Sequence, residues 1–146
     1  MAEGFTVTRV FDAPREMVFR AWTTPARFAG WFGLPGFTTP PDRVVMDVRP
    51  GGAWEVVLVP HGAAGAPGAG GDEVRMCGLF RDVIEPERVV FTFDRTELIT
   101  VTLTDLGART EMVFHQGGGG LTAEEYEQAR RSWAGIFDQL TTRLGV

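Results

Sequence analysis

Hydrophobic and polar positions alternate over most of the middle of the chain. In LITVTLT (98–104), Leu98, Thr100 and Thr102 oppose Ile99, Val101 and Leu103, the period-two pattern of a strand with one buried face. AWEVVLV (53–59) places Trp54, Val56 and Leu58 on one face. FTVTRVF (5–11), VVMDV (44–48), residues 73–84, VVFTF (89–93) and TEMVFHQ (110–116) complete the predicted strands. Pro50-Gly51-Gly52, Glu85-Pro86-Glu87 and Leu106-Gly107-Ala108 separate them as turns, and HGAAGAPGAGG (61–71) has too little to bury to be anything but a flexible loop.

The period lengthens at two places. Asp12-Ala13-Pro14 predicts a helix start, with Asp12 or Ala13 near the N-cap, Pro14 in the first turn, and Val18, Ala21 and Trp22 on the apolar stripe. Thr24-Pro25 repeats the signal for a short second helix to about Ala29. After the glycine run 117–120, Thr122 and Glu125 fit a capping box and Leu121 with Tyr126 the accompanying hydrophobic staple. Tyr126, Ala129, Trp133, Ile136, Phe137, Leu140 and Leu144 then recur at helical spacing, so a long helix over about 121–144 is predicted, with Gly145 as its stop. An antiparallel meander has one face to bury, and this helix is the element able to cover it, so the fold class is α+β.

AGWFGLPGFTTPP (29–41) fits neither period. Its glycines and prolines exclude a helix or central strand, yet Trp31, Phe32 and Phe37 carry too much apolar surface to stay in water.

Composition narrows the picture. With 146 residues and no linker, the chain reads as one domain, 1–146, that can build a substantial core. No apolar run reaches the length of a membrane span, and the N-terminus has no secretory pattern, so a cytoplasmic protein is expected. A net charge of −5 argues against nonspecific attraction to nucleic acid or to an anionic membrane. Cys77 is the sole cysteine, which excludes an internal disulfide and a cysteine-rich metal site. All fourteen basic residues are arginine, consistent with the coding bias of a GC-rich bacterial genome, and lysine chemistry is excluded.

No catalytic constellation emerges. His115 lies in a strand whose inner face is set by Met112 and Phe114, so it points outward, while Gln116 shares parity with Phe114 and is the better candidate for a polar contact inside. His61 falls in the glycine-rich loop. No metal site, cofactor, phosphate-binding loop or nucleophile elbow is indicated, and Glu124 and Glu125 would repel phosphate from the glycine run. Glu55, Arg81 and Asp82 read as solvated or paired charges.

The element order, with FDAPREMVFRAWTTPARFAGWFGLPGFT, DVRPGGAW, PERVVFTF and SWAGIFDQL, resembles the SRPBCC superfamily, whose START-like form is the helix-grip fold. More narrowly it resembles the branch named after the activator of the heat-shock-protein ATPase, from about Phe5 to Leu144. The resemblance implies a curved antiparallel sheet of six to seven strands gripping the C-terminal helix around a cavity, with the aromatic loop at its mouth. Many relatives carry two tryptophans where this chain has Trp31-Phe32. The implied walls are Trp31, Phe32, Trp54, Phe91, Phe93, Met112, Phe114, Gln116, Trp133 and Phe137. The expected function is binding of a hydrophobic or amphipathic small molecule between sheet and helix. A polyketide cyclase- or aromatase-like enzyme and a chaperone-interacting module are the alternatives. A homodimer also follows from the resemblance.

Overall fold

A computed structural model describes residues 4–34, 36–60, 73–93 and 96–144; the loop reading for 61–71 and the Gly145 stop lie outside the described residues. The chain opens with β1 (Gly4–Phe11), followed by α1 (Arg15–Thr23) and α2 (Pro25–Ala29). Then come β2 (Phe37–Thr38), a single 3₁₀ turn at Pro41–Arg43, β3 (Val44–Met46), β4 (Ala53–Pro60), β5 (Val74–Ile84), β6 (Arg88–Phe93), β7 (Glu97–Asp105) and β8 (Thr110–Gly117). The last element is α3 (Ala123–Arg143).

The sheet runs β1-β8-β7-β6-β5-β4-β2, with β3 also paired to β4. Every pairing is antiparallel. It curves around α3, which gives the α+β helix-grip architecture. The sheet has eight strands rather than six or seven. The extra one comes from the aromatic loop, where Phe37 and Thr38 pair with Pro60 and Val59 at the edge of the sheet, a place where so short a strand is tolerated.

Two other local expectations are corrected. Pro14, not Asp12 or Ala13, is the N-cap of α1: its backbone is extended, and its carbonyl accepts from the N–H groups of Met17 and Val18. Proline fills this place because its fixed φ suits the entry and its missing N–H is not needed. The strand at 44–48 ends at Met46, because Asp47 and Arg49 enter a turn that Gly51 closes at φ +87°.

The capping box on α3 is present in full, Thr122 Oγ1 accepting from the Glu125 N–H and Glu125 from the Thr122 N–H. Ile99, Val101 and Leu103 on β7, Met112 and Phe114 on β8, and Phe137 and Leu140 on α3 meet in one core. Arg9 on β1 ties α3 to the sheet through Asp138 and the Ala134 carbonyl. Trp31 and Phe32 are buried in this core. The Trp31 indole donates to the Ala21 carbonyl at 2.9 Å and meets Trp22 edge-on, while Phe32 stacks on Phe28 with centroids 4.7 Å apart.

Candidate functional site

The interior between α3 and the sheet divides into two spaces. The first is an apolar void of about 20 Å³ lined by Trp22, Phe28, Phe32, Met46, Trp54, Phe80, Val89, Phe91, Phe93 and Trp133. That is room for little more than one water molecule. The second is a cleft of about 300 Å³ beside α3, bounded by Leu34, Met76, Leu121, Ala129, Ser132 and Ile136 and by the polar groups of Thr96, Glu97 and Gln116. Phe32, Phe93 and Trp133 border both spaces, so these three rings form the partition between them.

The strand register explains the aromatic wall. Trp54 on β4 lies opposite Gly78 on β5, and its indole reaches across β5 to donate to the Thr92 carbonyl on β6 at 3.0 Å. A Cβ on Gly78 would stand 1.9 Å from that carbonyl oxygen and 2.8 Å from the indole nitrogen, so the crossing requires glycine. Trp54 then meets Phe91 edge-on and Phe93 at a tilt.

The polar part of the cleft is a hydrogen-bonded chain. The Trp133 indole N–H donates to Gln116 Oε1 at 3.0 Å, Gln116 Nε2 donates to Glu97 Oε1 at 3.0 Å, and the Tyr126 hydroxyl donates to Glu97 Oε2 at 3.0 Å. Tyr126 in turn accepts from the Gly119 N–H at 3.3 Å. An indole can only donate, so Trp133 fixes the sense of the Gln116 amide and turns its NH₂ towards the carboxylate. Both branches converge on Glu97, whose residue is 4% exposed. Gly119 makes the convergence possible, since a Cβ there would lie 1.6 Å from Glu97 Oε2.

The ten proposed site residues fall into groups. Phe32, Phe93 and Trp133 border both spaces, Trp54 and Phe91 border the void, and Gln116 borders the cleft. Trp31 lines a different surface recess, with Ala21, Arg143 and Leu144. Met112, Phe114 and Phe137 are fully buried in the packed core and border neither space. His115 is exposed, with Nδ1 3.0 Å from Thr6 Oγ1. Glu97 was absent from the sequence-based site. The signal was available: it extends the strict alternation of 98–104 by one residue on the parity of Ile99, Val101 and Leu103, which put a carboxylate on the inner face. Among the described residues, no group of three or more His, Cys, Asp or Glu is placed to hold a metal ion. No helix among them is long and apolar enough to cross a membrane.

With this geometry in place, residues 12–145 match the family model described as activator of Hsp90 ATPase homolog 1-like protein. The chain belongs to that family. Its fold is shared with solved structures throughout its length. A crystal structure from Chromobacterium violaceum is 23% identical with a TM-score of 0.80, covering 100% of this chain and 99% of that one. A Rhodobacter sphaeroides protein reaches the same TM-score at 19% identity, covering 99% of this chain and 93% of that one. The AHSA1 protein from Silicibacter pomeroyi gives 0.78 at 19% identity, covering 97% and 96%. At these identities the likeness concerns the fold. No curated protein matches the chain.

Proposed function

We propose that this family member is a cytoplasmic binding domain that takes a hydrophobic or amphipathic small molecule into the cleft beside α3. The carrying observation is the make-up of that cleft: about 300 Å³, at the lower end of small-molecule sites, walled by Phe32, Phe93, Trp133 and Ile136 and holding two buried polar side chains, Glu97 and Gln116. Aromatic and aliphatic walls supply affinity through burial, and a few fixed polar groups supply orientation. The void behind the partition adds a way to accept larger ligands, because rotation of Phe93 or Trp133 would join the two spaces. The family and the helix-grip fold support the same reading, since both place a long helix over a concave sheet.

The test is titration with a neutral environment-sensitive dye, followed by displacement with amphipathic aromatic competitors. Native mass spectrometry of freshly purified protein would add any co-purifying small molecule. Saturable binding of the dye, reversed by the competitors, is the expected result. A folded protein that leaves the dye unbound would overturn the reading.

A further inference from the structure

We infer that the cleft selects ligands bearing a cationic hydrogen-bond donor, an ammonium group on an apolar body, and that Glu97 is the residue that receives it. The inference deepens the proposed binding role and rests on it.

Glu97 is an unusual group to find in this place. It borders the cleft, its residue is 4% exposed, and among the described residues no arginine or histidine nitrogen forms an ion pair with it. Its two side-chain hydrogen-bond partners among the described residues, the Gln116 amide and the Tyr126 hydroxyl, are both neutral. A carboxylate offers about four acceptor positions, so one bond to each oxygen leaves capacity for a further donor. Burying a carboxylate is costly unless a charge compensates it, and a ligand cation in the adjoining cleft would provide that compensation.

The surroundings are polarised in the same sense. Trp133 orients the Gln116 amide, and the Gly119 N–H occupies the Tyr126 oxygen, so each branch directs a proton to Glu97 and leaves it as an acceptor. Among the described residues that line the cleft, none carries a positive charge that would favour an anionic ligand. The chain's net charge of −5 acts in the same direction at long range. The Phe32, Phe93 and Trp133 rings supply the surface for the apolar body and are the faces over which a cation is attracted.

Three probes of one shape separate the terms: 2-(2-naphthyl)ethylamine, 2-(2-naphthyl)ethanol and 3-(2-naphthyl)propanoate, each titrated at neutral pH by isothermal calorimetry. The amine should bind about tenfold or more tightly than the alcohol, the margin of one charge-assisted hydrogen bond, and the carboxylate should bind weakest. Glu97→Gln preserves the side-chain shape and an acceptor for Gln116; in it the amine's advantage should fall to within about threefold, with alcohol binding retained. Binding of all three probes without preference, or an amine advantage that survives Glu97→Gln, would overturn the inference and leave the cleft as a binding site. Failure of all three to bind would overturn the binding role as well. If that variant does not fold, Gln116→Leu, which removes the amide that holds the carboxylate in place, should lower the amine's advantage instead, and an unchanged advantage there, or no probe preference on the unaltered protein, would overturn the inference.

Discussion

Phe137 and Trp133 stand one helical turn apart on α3 and face interiors of different kinds. Phe137 is fully buried, with Trp22, Trp31, Phe114 and Trp133 around its ring. Trp133 is 6% exposed and also touches Phe114 and Phe137, but its other side borders both the 20 Å³ void and the 300 Å³ cleft. One end of the sheet–helix interior is packed and holds the fold together. The other end keeps space, and Glu97, the one buried carboxylate among the described residues, lies there. Under the proposed function, stability and binding are thus carried by adjacent turns of one helix.

The largest effect should follow from removing the packed ring. Phe137→Ala should cost about 3–5 kcal/mol, because the surrounding aromatics cannot collapse into the hole, while dye affinity per folded molecule stays unchanged. Trp133→Ala should fall towards the lower end of the same roughly 3–5 kcal/mol range, since part of its surroundings is already open. It should also join void and cleft and raise the affinity of a polycyclic neutral dye. Denaturant melts and dye titrations on the two variants check both statements; equal stability losses with equal affinities would erase the distinction between the two ends.

Next in size is Gly119→Ala. A Cβ would stand 1.6 Å from Glu97 Oε2, so either the carboxylate or the loop before α3 must move. A loss of about 1–3 kcal/mol is expected, as for other overpacked sites, together with a weakened amine preference in the probe series. Wild-type stability and selectivity in this variant would mean that the carboxylate's position does not matter.

The smallest effect lies on the solvent face of α3. The Glu127 carboxyl is held below the usual carboxylate range, chiefly by its hydrogen bond from Arg130, with help from Arg131. A depressed carboxyl stabilises the fold above its unfolded-state range and loses that contribution as pH falls through its folded-state range. The pair is exposed and screened, so Glu127→Gln should lower the melting temperature only slightly at neutral pH, and the gap should close on acidification. Thermal melts across acid pH check the sign, and a gap that widened with acidification would reverse it.

The elements were legible because each has a strong local signal. The alternation of 98–104, the Thr122–Glu125 capping box and the stripe from Tyr126 to Leu140 each correspond to what the structure contains. The cleft was partly legible, as Phe32, Phe93, Gln116 and Trp133 all came from strand parity, helical spacing and family likeness. Whether a buried aromatic faces space or other side chains was not, because Phe114 and Trp133 have the same periodicity signal and differ only in what sits across from them. The eighth strand was missed because two residues at a sheet edge leave no pattern. Glu97 was missed because a charge at the start of a strand resembles a solvated terminus, although its parity with Ile99, Val101 and Leu103 places it on the inner face.

The four tryptophan indole N–H groups provide the most direct test of the binding site. Trp133 donates to Gln116 beside the cleft, whereas Trp31 donates to the Ala21 carbonyl and borders neither the void nor the cleft. In ¹H–¹⁵N spectra recorded during titration with 2-(2-naphthyl)ethylamine, the Trp133 indole signal should shift and saturate with the probe while the Trp31 signal stays in place. A probe that binds while moving Trp31 and leaving Trp133 unmoved would put the site elsewhere and contradict the account.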